Sequence, residues 1–465
     1  MEKWYPAVAD YIMTNRDQIV ADLMTLARFP SISQAGKDGL PFGKDVDDVL
    51  NATAEMFTGY GYPMTVNHEG GYAIAVCEGE GDGIGLFGHA DVVPVNEDWI
   101  KTTPFNPVEE NGVLYGRGVS DNKAGVIASL YALRALKAAG VELKSRITVF
   151  AGGSEETGMQ DMEAFVKNER MPAVSLVPDS GFPVCVGEKG IMRVNATSKK
   201  PLQDVTRLDG GKAYNVILDY VDVEVADTAE LRTALPEATA SNGKLHFTVE
   251  GLTSHAASPE GSVNAGLKAA EKLLQLPICE SDKQILNSLI TVLSNYYGET
   301  VNIGSTGAFG KLTCANGITR VEEDGRLMFT LDIRFGSEIT GKELTERLTA
   351  ALDALGYDAL ITECDEGFLL DESGKPLEIV LSTCREVCNA PDAVPFKMGG
   401  GTYARKLRNA FSLSHSAPWS HKSLDLPEGH GGGHQSDEAL GIDALLDGIK
   451  YIALILGRMD NYLCQ

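Results

Sequence analysis

The spacing of hydrophobic residues changes along the chain. Residues 84–88 form a short apolar run, and 146–151 and 173–177 are runs of the same kind. Such runs, bounded by turn residues, predict buried strands. Between the first two, 121–140 places Val126, Ile127, Leu130, Leu133 and Leu136 at helical spacing. Asp121 or Asn122 can cap the start of that helix, and Gly140 suits its end. Strand, helix and strand in this order predict the α/β class, with a mostly parallel sheet flanked by helices.

The pattern changes after about Gly187. Residues 244–250 and 326–335 mix apolar with polar positions, which predicts a sheet with one covered face, and 263–276 predicts a helix. We expect an inserted α+β domain over 187–390, dividing a first domain into 1–186 and 391–465. The last part holds Gly399, Gly400 and Gly401, then a helix, a Gly/His loop and a final helix over 442–462. A chain of 465 residues exceeds what one hydrophobic core usually serves.

Composition narrows the function. With 43% hydrophobic and 23% charged residues the chain is ordinary globular material. A formal net charge of −25 argues against nucleic acid and anionic membrane partners. The start is charged from Glu2 onward and lacks an apolar signal core. No apolar run reaches the ~20 residues that span a bilayer. The eight cysteines form no Cys-x-x-Cys pair, although Cys384 and Cys388 share a helix face. Sparse thiols of this kind predict reduced cysteines and a cytoplasmic location.

The candidate chemistry falls just after the expected strands: His89 and Asp91, then Asp121, then Glu155 and Glu156, then Asp179. In open α/β sheets, ligands bind outside the carboxyl ends of the strands. If His434 joins from the C-terminal loop, two imidazoles and three carboxylates suit two zinc-like ions, with Asp121 as the candidate bridge. Asp91, two residues beyond His89, can accept the second ring N–H of that histidine. Of the adjacent glutamates, one can ligate while the other stands over the attacking water as general base. Each residue alone has a plainer explanation: a helix cap for Asp121, an Asx turn for Asp179, a solvated turn for the glutamates, a loop histidine for His434 with His421 and His430 as competitors. The ordered set makes those explanations poor.

Five segments spell a family in order: GHADVVP (88–94), GRGVSDNKAG (116–125), GGSEETGMQD (152–161), PDSG (178–181) and HQSDE (434–438). They resemble the co-catalytic zinc aminoacylase/carboxypeptidase superfamily of metallopeptidases. Within it the chain resembles the PepV-like dipeptidases, also called Xaa-His or carnosinase-like. The resemblance implies two zinc ions, with manganese or cobalt as substitutes. His89 and Asp179 would hold one ion, Glu156 and His434 the other, and Asp121 both, next to a cis Asp121–Asn122 peptide. Glu155 would be general base and later acid, with Asp91 supporting the site.

Two further motifs resemble the family's substrate groups. GLTSHAASPEGSVNA (251–265) matches its lid histidine, which implies that His255 stabilises the oxyanion, and Asn215 in KAYNVI matches its lid asparagine. GGGTYAR (399–405) resembles its carboxylate clamp. Arg405 would grip the substrate carboxylate, and the backbone at Gly400 and Gly401 would face the anion at a helix start. The implied activity is hydrolysis of dipeptides through a water shared by two zinc ions, with Asp91 a candidate partner for the substrate amine. The alternatives are an N-acyl amino acid deacylase and a metal-binding protein without turnover. The long insert implies a lid that supplies its histidine in cis, and hence a monomer.

Overall fold

The central strand of the first sheet, Glu80–His89, is buried from Ile84 to His89, as an apolar run between two parallel neighbours must be. This computed structural model describes residues 1–36, 39–388, 390–420 and 422–465. The chain divides into two units: Met1–Val186 with Leu370–Phe396 and Thr402–Gln465, and Gly187–Leu369 with Lys397–Gly401.

In the first unit Glu80–His89 runs parallel to Ser145–Gly152 on one side and to Val174–Val177 on the other. Ala410–Ser412 continues the parallel centre beyond Val174–Val177, while Tyr72–Cys77 and Met64–Asn67 extend the opposite edge antiparallel. The expected α/β class, with its parallel sheet and flanking helices, is observed. The helix Lys123–Ala138 links two adjacent parallel strands, the connection that a parallel pair requires. It is buried almost all round, because Ile442–Leu463 packs against it. Asn122 occupies its N-cap without a side-chain capping bond, and Gly140 follows its end at φ 74°. The polar groups offered as caps are therefore directed elsewhere.

The second unit contains two antiparallel sheets. One has the order Val205–Asp209, Tyr220–Ala226, Lys244–Glu250, Thr239–Ser241; the other has Thr313–Ala315, Arg326–Phe335, Gly190–Pro201, Tyr357–Asp365. In Lys244–Glu250 the alternation is real: Leu245, Phe247 and Val249 are buried between more exposed neighbours. Arg326–Phe335 differs from expectation, being buried on both faces from Leu327 onward. Its polar members are satisfied internally. Arg334 Nη2 donates to Asp332 Oδ2 at 3.0 Å, and Thr330 Oγ1 accepts from the Ile318 amide at 3.0 Å.

The second segment of the chain was expected to end at 390, yet Leu370–Phe396 clusters with the first unit. The cause is the helix Lys375–Val387, whose Leu377, Val380, Leu381 and Cys384 join the first unit's core. All eight cysteines are free thiols. Among the described residues no helix is long and apolar enough to cross a membrane.

Candidate metal centre

Three strands of the parallel centre lead into the candidate polar side chains. His89 is the last residue of its strand. Glu155 and Glu156 open a single 3-10 turn just past Ser145–Gly152, and Asp179 stands two residues beyond Val177. Asp121 precedes the helix Lys123–Ala138 across a cis peptide to Asn122.

These groups converge. His89 Nε2 lies 3.2 Å from Asp121 Oδ1 and 3.7 Å from Asp179 Oδ2. On the far side of the same carboxylate, His434 Nε2 lies 3.2 Å from Asp121 Oδ2 and 3.1 Å from Glu156 Oε1. The potential ligand atoms of His89, Asp121 and Glu156 are within 4.8 Å of one another, as are those of His89, Glu155 and Asp179. Glu155, expected over the water, is thus as near to one set as a ligand would be.

Asn122 sets the position of Asp179. Its Nδ2 donates to Asp179 Oδ1 at 2.7 Å and to the Pro178 carbonyl at 2.6 Å. Gly125 makes room for this, since a Cβ there would press on the Asn122 side chain and the Pro178 carbonyl.

Asp91 does more than expected. His89 Nδ1 donates to the Asp91 backbone carbonyl at 3.0 Å, with the carboxylate further away at 3.3 Å. The carboxylate also accepts the backbone N–H groups of Glu155 at 3.2 Å and Glu156 at 3.1 Å. Asp91 is 0% exposed, and both of its carboxylate oxygens are occupied by these amides.

The electrostatics suit cations. Burial alone would lower the His89 pKa, but Asp179, Asp121 and Asp91 outweigh it and hold it well above normal. Hydrogen bonds to the Asp121 and Glu156 carboxylates raise His434 to about 11 against the opposing effect of burial. Burial acts to raise Asp121, yet the two imidazoles pull it far below the usual carboxylate range. Glu155 is pushed well up by burial, reinforced by Asp179, Glu156 and Asp91 despite His89. Several carboxylates crowd two imidazoles, and positive charge among them relieves their repulsion. The donor set of imidazole nitrogens and carboxylate oxygens therefore fits divalent ions of the zinc type.

A third group, Asp204, Cys279 and Asp282 in the second unit, has similar spacing. Its carboxylates are already engaged: Asp282 accepts the amides of Gln203, Asp204 and Val205, and Asp204 accepts that of Cys279. Of the competing histidines, His430 Nδ1 pairs with Asp437 Oδ2 at 2.7 Å, and His421 lies outside the described residues.

In the second unit Asn215 and His255 are brought together. The Ala256 amide donates to the Asn215 carbonyl at 2.9 Å, and Val216 bridges His255 antiparallel. The clamp segment departs from expectation. Gly400 and Gly401 fall in the second unit and Arg405 in the first. The helix after the glycines is one 3-10 turn, Tyr403–Lys406, whose Ala404 amide is already bonded to Thr402 Oγ1.

A profile of Peptidase family M20/M25/M40 matches residues 85–458. The chain belongs to this family. That bears out the resemblance drawn from the motifs, and it makes the protein a hydrolase of the metallopeptidase type. A Staphylococcus haemolyticus protein that carries a provisional dipeptidase name is 26% identical over 430 residues, 87% of this chain and 90% of its own length. Among solved structures, a di-peptidase of Saccharomyces cerevisiae superposes with a TM-score of 0.61 at 14% identity, covering 99% of both chains. Human carnosine dipeptidase 1 gives 0.60 at 15% identity, covering 98% of this chain and 100% of its own. These structures share the fold.

This M20/M25/M40 member also relies on residues to which no role was assigned in advance. Glu438, fully buried, accepts Arg117 Nη1 at 2.8 Å and the amides of Gly118, Ser120 and Asp121 at 2.8 to 2.9 Å. It ties the loop carrying His434 to the loop carrying Asp121. His434 and Asp437 bend that loop through left-handed backbone, at φ 65° and 53°. Asp437 is steadied by accepting the Ile100 and Lys101 amides at 2.9 and 2.7 Å. Glu438 stands inside the quoted HQSDE motif, but nothing local distinguishes a buried glutamate from a solvated one.

Proposed function

We propose that the protein is a dipeptidase that uses two divalent ions, with zinc the natural choice and manganese or cobalt able to substitute. One observation carries this: the two oxygens of Asp121 face two different imidazoles, each at 3.2 Å. A carboxylate so placed is arranged to be shared by two cations. His89 and Asp179 would hold one ion, and Glu156 and His434 the other. When bound, the ions would supply Lewis-acid polarisation of the scissile carbonyl and would acidify the attacking water.

Glu155 takes the proton from the attacking water and returns it to the leaving amine. Burial and neighbouring carboxylates favour its protonated form, which suits the second of these duties. Asp91 keeps the Glu155 and Glu156 amides in place. His255 and Asn215 as oxyanion and substrate donors, and Arg405 with Gly400 and Gly401 as the carboxylate clamp, are assigned on motif grounds. Likewise, the inserted segment is assigned as the lid, the active species as a monomer, and the location as the cytoplasm.

The test is a substrate panel on metal-loaded protein, comparing dipeptides with N-acetyl and N-succinyl amino acids. Preferential cleavage of dipeptides supports the proposal. Preference for N-acyl amino acids would make the protein a deacylase working with the same residues, and cleavage of neither would remove the catalytic reading.

A further inference from the structure

The turn that presents Glu155 and Glu156 is gripped by two buried carboxylates, and the metal centre accounts for only one of them. Four successive amides are captured in pairs. Gly153 and Ser154 donate to Asp161 Oδ2 at 2.7 and 3.0 Å. Glu155 and Glu156 donate to Asp91 at 3.2 and 3.1 Å. The Ser154 hydroxyl adds a bond to Asp161 Oδ1 at 3.0 Å. Asp161 Oδ2 also accepts the hydroxyl of Tyr403, from the far end of the chain.

We propose that Asp161 and Tyr403 form a positioning pair for Glu155, holding its turn from the side opposite Asp91. The proposal rests on Glu155 being the general base. Asp161 and Tyr403 are both 0% exposed. The Tyr403 ring stands edge-on to Phe150 at 5.4 Å and to His89 at 6.4 Å, so packing fixes where its hydroxyl can be. Gly152 supplies independent support. A Cβ at that position would overlap both the Tyr403 hydroxyl and the Asp161 carboxylate. The pair thus closes on the strand end more tightly than any side chain at 152 would permit.

The physical consequence is specific. Asp161 bonds to the Gly153, Ser154 and Met162 amides and to the Ser154 and Tyr403 hydroxyls, not to an imidazole or a ligating carboxylate, so weakening its anchor need not release metal. It would instead let the turn pivot about Asp91. A general base must sit within hydrogen-bond reach of its water, and a misplacement of about 1 Å can cost ~100-fold in rate.

The experiment compares Tyr403→Phe and Asp161→Asn in the metal-loaded full chain, with Glu155→Gln alongside. Expected for Tyr403→Phe is a kcat at least ~10-fold lower with KM within about twofold and metal content unchanged. Amide hydrogen exchange across 153–156 should be faster than in the parent. Asp161→Asn should show both effects more strongly; if it fails to fold, Tyr403→Phe decides alone. An unchanged kcat with unchanged exchange overturns the proposal, whatever happens to Tm. So does a rate loss that merely tracks metal loss. If Glu155→Gln keeps the parental kcat, the base assignment fails and takes the catalytic claim with it, while the exchange data still judge the grip on the turn.

Discussion

Nε2 of His434 lies 3.2 Å from Oδ2 of Asp121. The other oxygen of Asp121 faces His89, so removing this carboxylate disturbs both halves of the centre. Asp121→Ala should lose both divalent ions on dialysis, whereas His434→Ala should retain one. Elemental analysis of the dialysed proteins checks this. Equal stoichiometry in the two variants would deny Asp121 its shared role.

Glu155→Gln tests the base. It keeps the shape of the side chain and removes its ability to take a proton. We expect metal content to be unchanged and kcat to fall by ~10³-fold, within the range for a lost general base. Steady-state kinetics with parallel metal analysis would reveal it, and a fall below ~10-fold would assign the proton transfer to another group.

Glu438→Ala tests the tie between loops. It leaves Arg117, at 1% exposure, without its carboxylate, and frees three backbone amides. Breaking a buried pair by removing one partner costs about 3–5 kcal/mol. Urea denaturation should show a loss of that order together with weaker metal retention. A loss under ~1 kcal/mol would mean the pair behaves like an exposed one.

The pH dependence follows from His434. In the metal-free protein its pKa is raised from 6.5 to about 11 by Asp121 and Glu156. A raised folded-state pKa gives stability that is full below 6.5 and is lost as pH climbs towards 11. Metal binding must expel the same proton, so apparent affinity should rise about tenfold per pH unit for each proton released. Calorimetric titration at about pH 7 in buffers of different ionisation enthalpy counts those protons. No proton release would contradict the imidazolium.

The centre was more legible in the sequence than its supports. His89, Asp121, Glu156, Asp179 and His434 all fall at strand ends or in short polar motifs, where a ligand set announces itself by residue type. Asp91 was legible as a neighbour of His89, but its hold on the Glu155 and Glu156 amides was not, because the fold of the 153–156 turn decides which donors reach its carboxylate. The strand 326–335 looked half-covered because Thr330, Asp332 and Arg334 are polar. Their burial depends on Arg334 meeting Asp332, which no local pattern reveals.

The amino-acid order by itself determined the periodicities, the glycines at close approaches and the kinds of donor available. These are local properties, set by backbone sterics and side-chain chemistry within a few residues. Only the tertiary structure decided which donors share a carboxylate: that Asp121 faces both His89 and His434, that Glu438 binds Arg117, and that Tyr403 reaches Asp161. Those partners lie far apart along the chain, and only the folded arrangement of sheet, helices and loops brings their polar atoms within bonding distance.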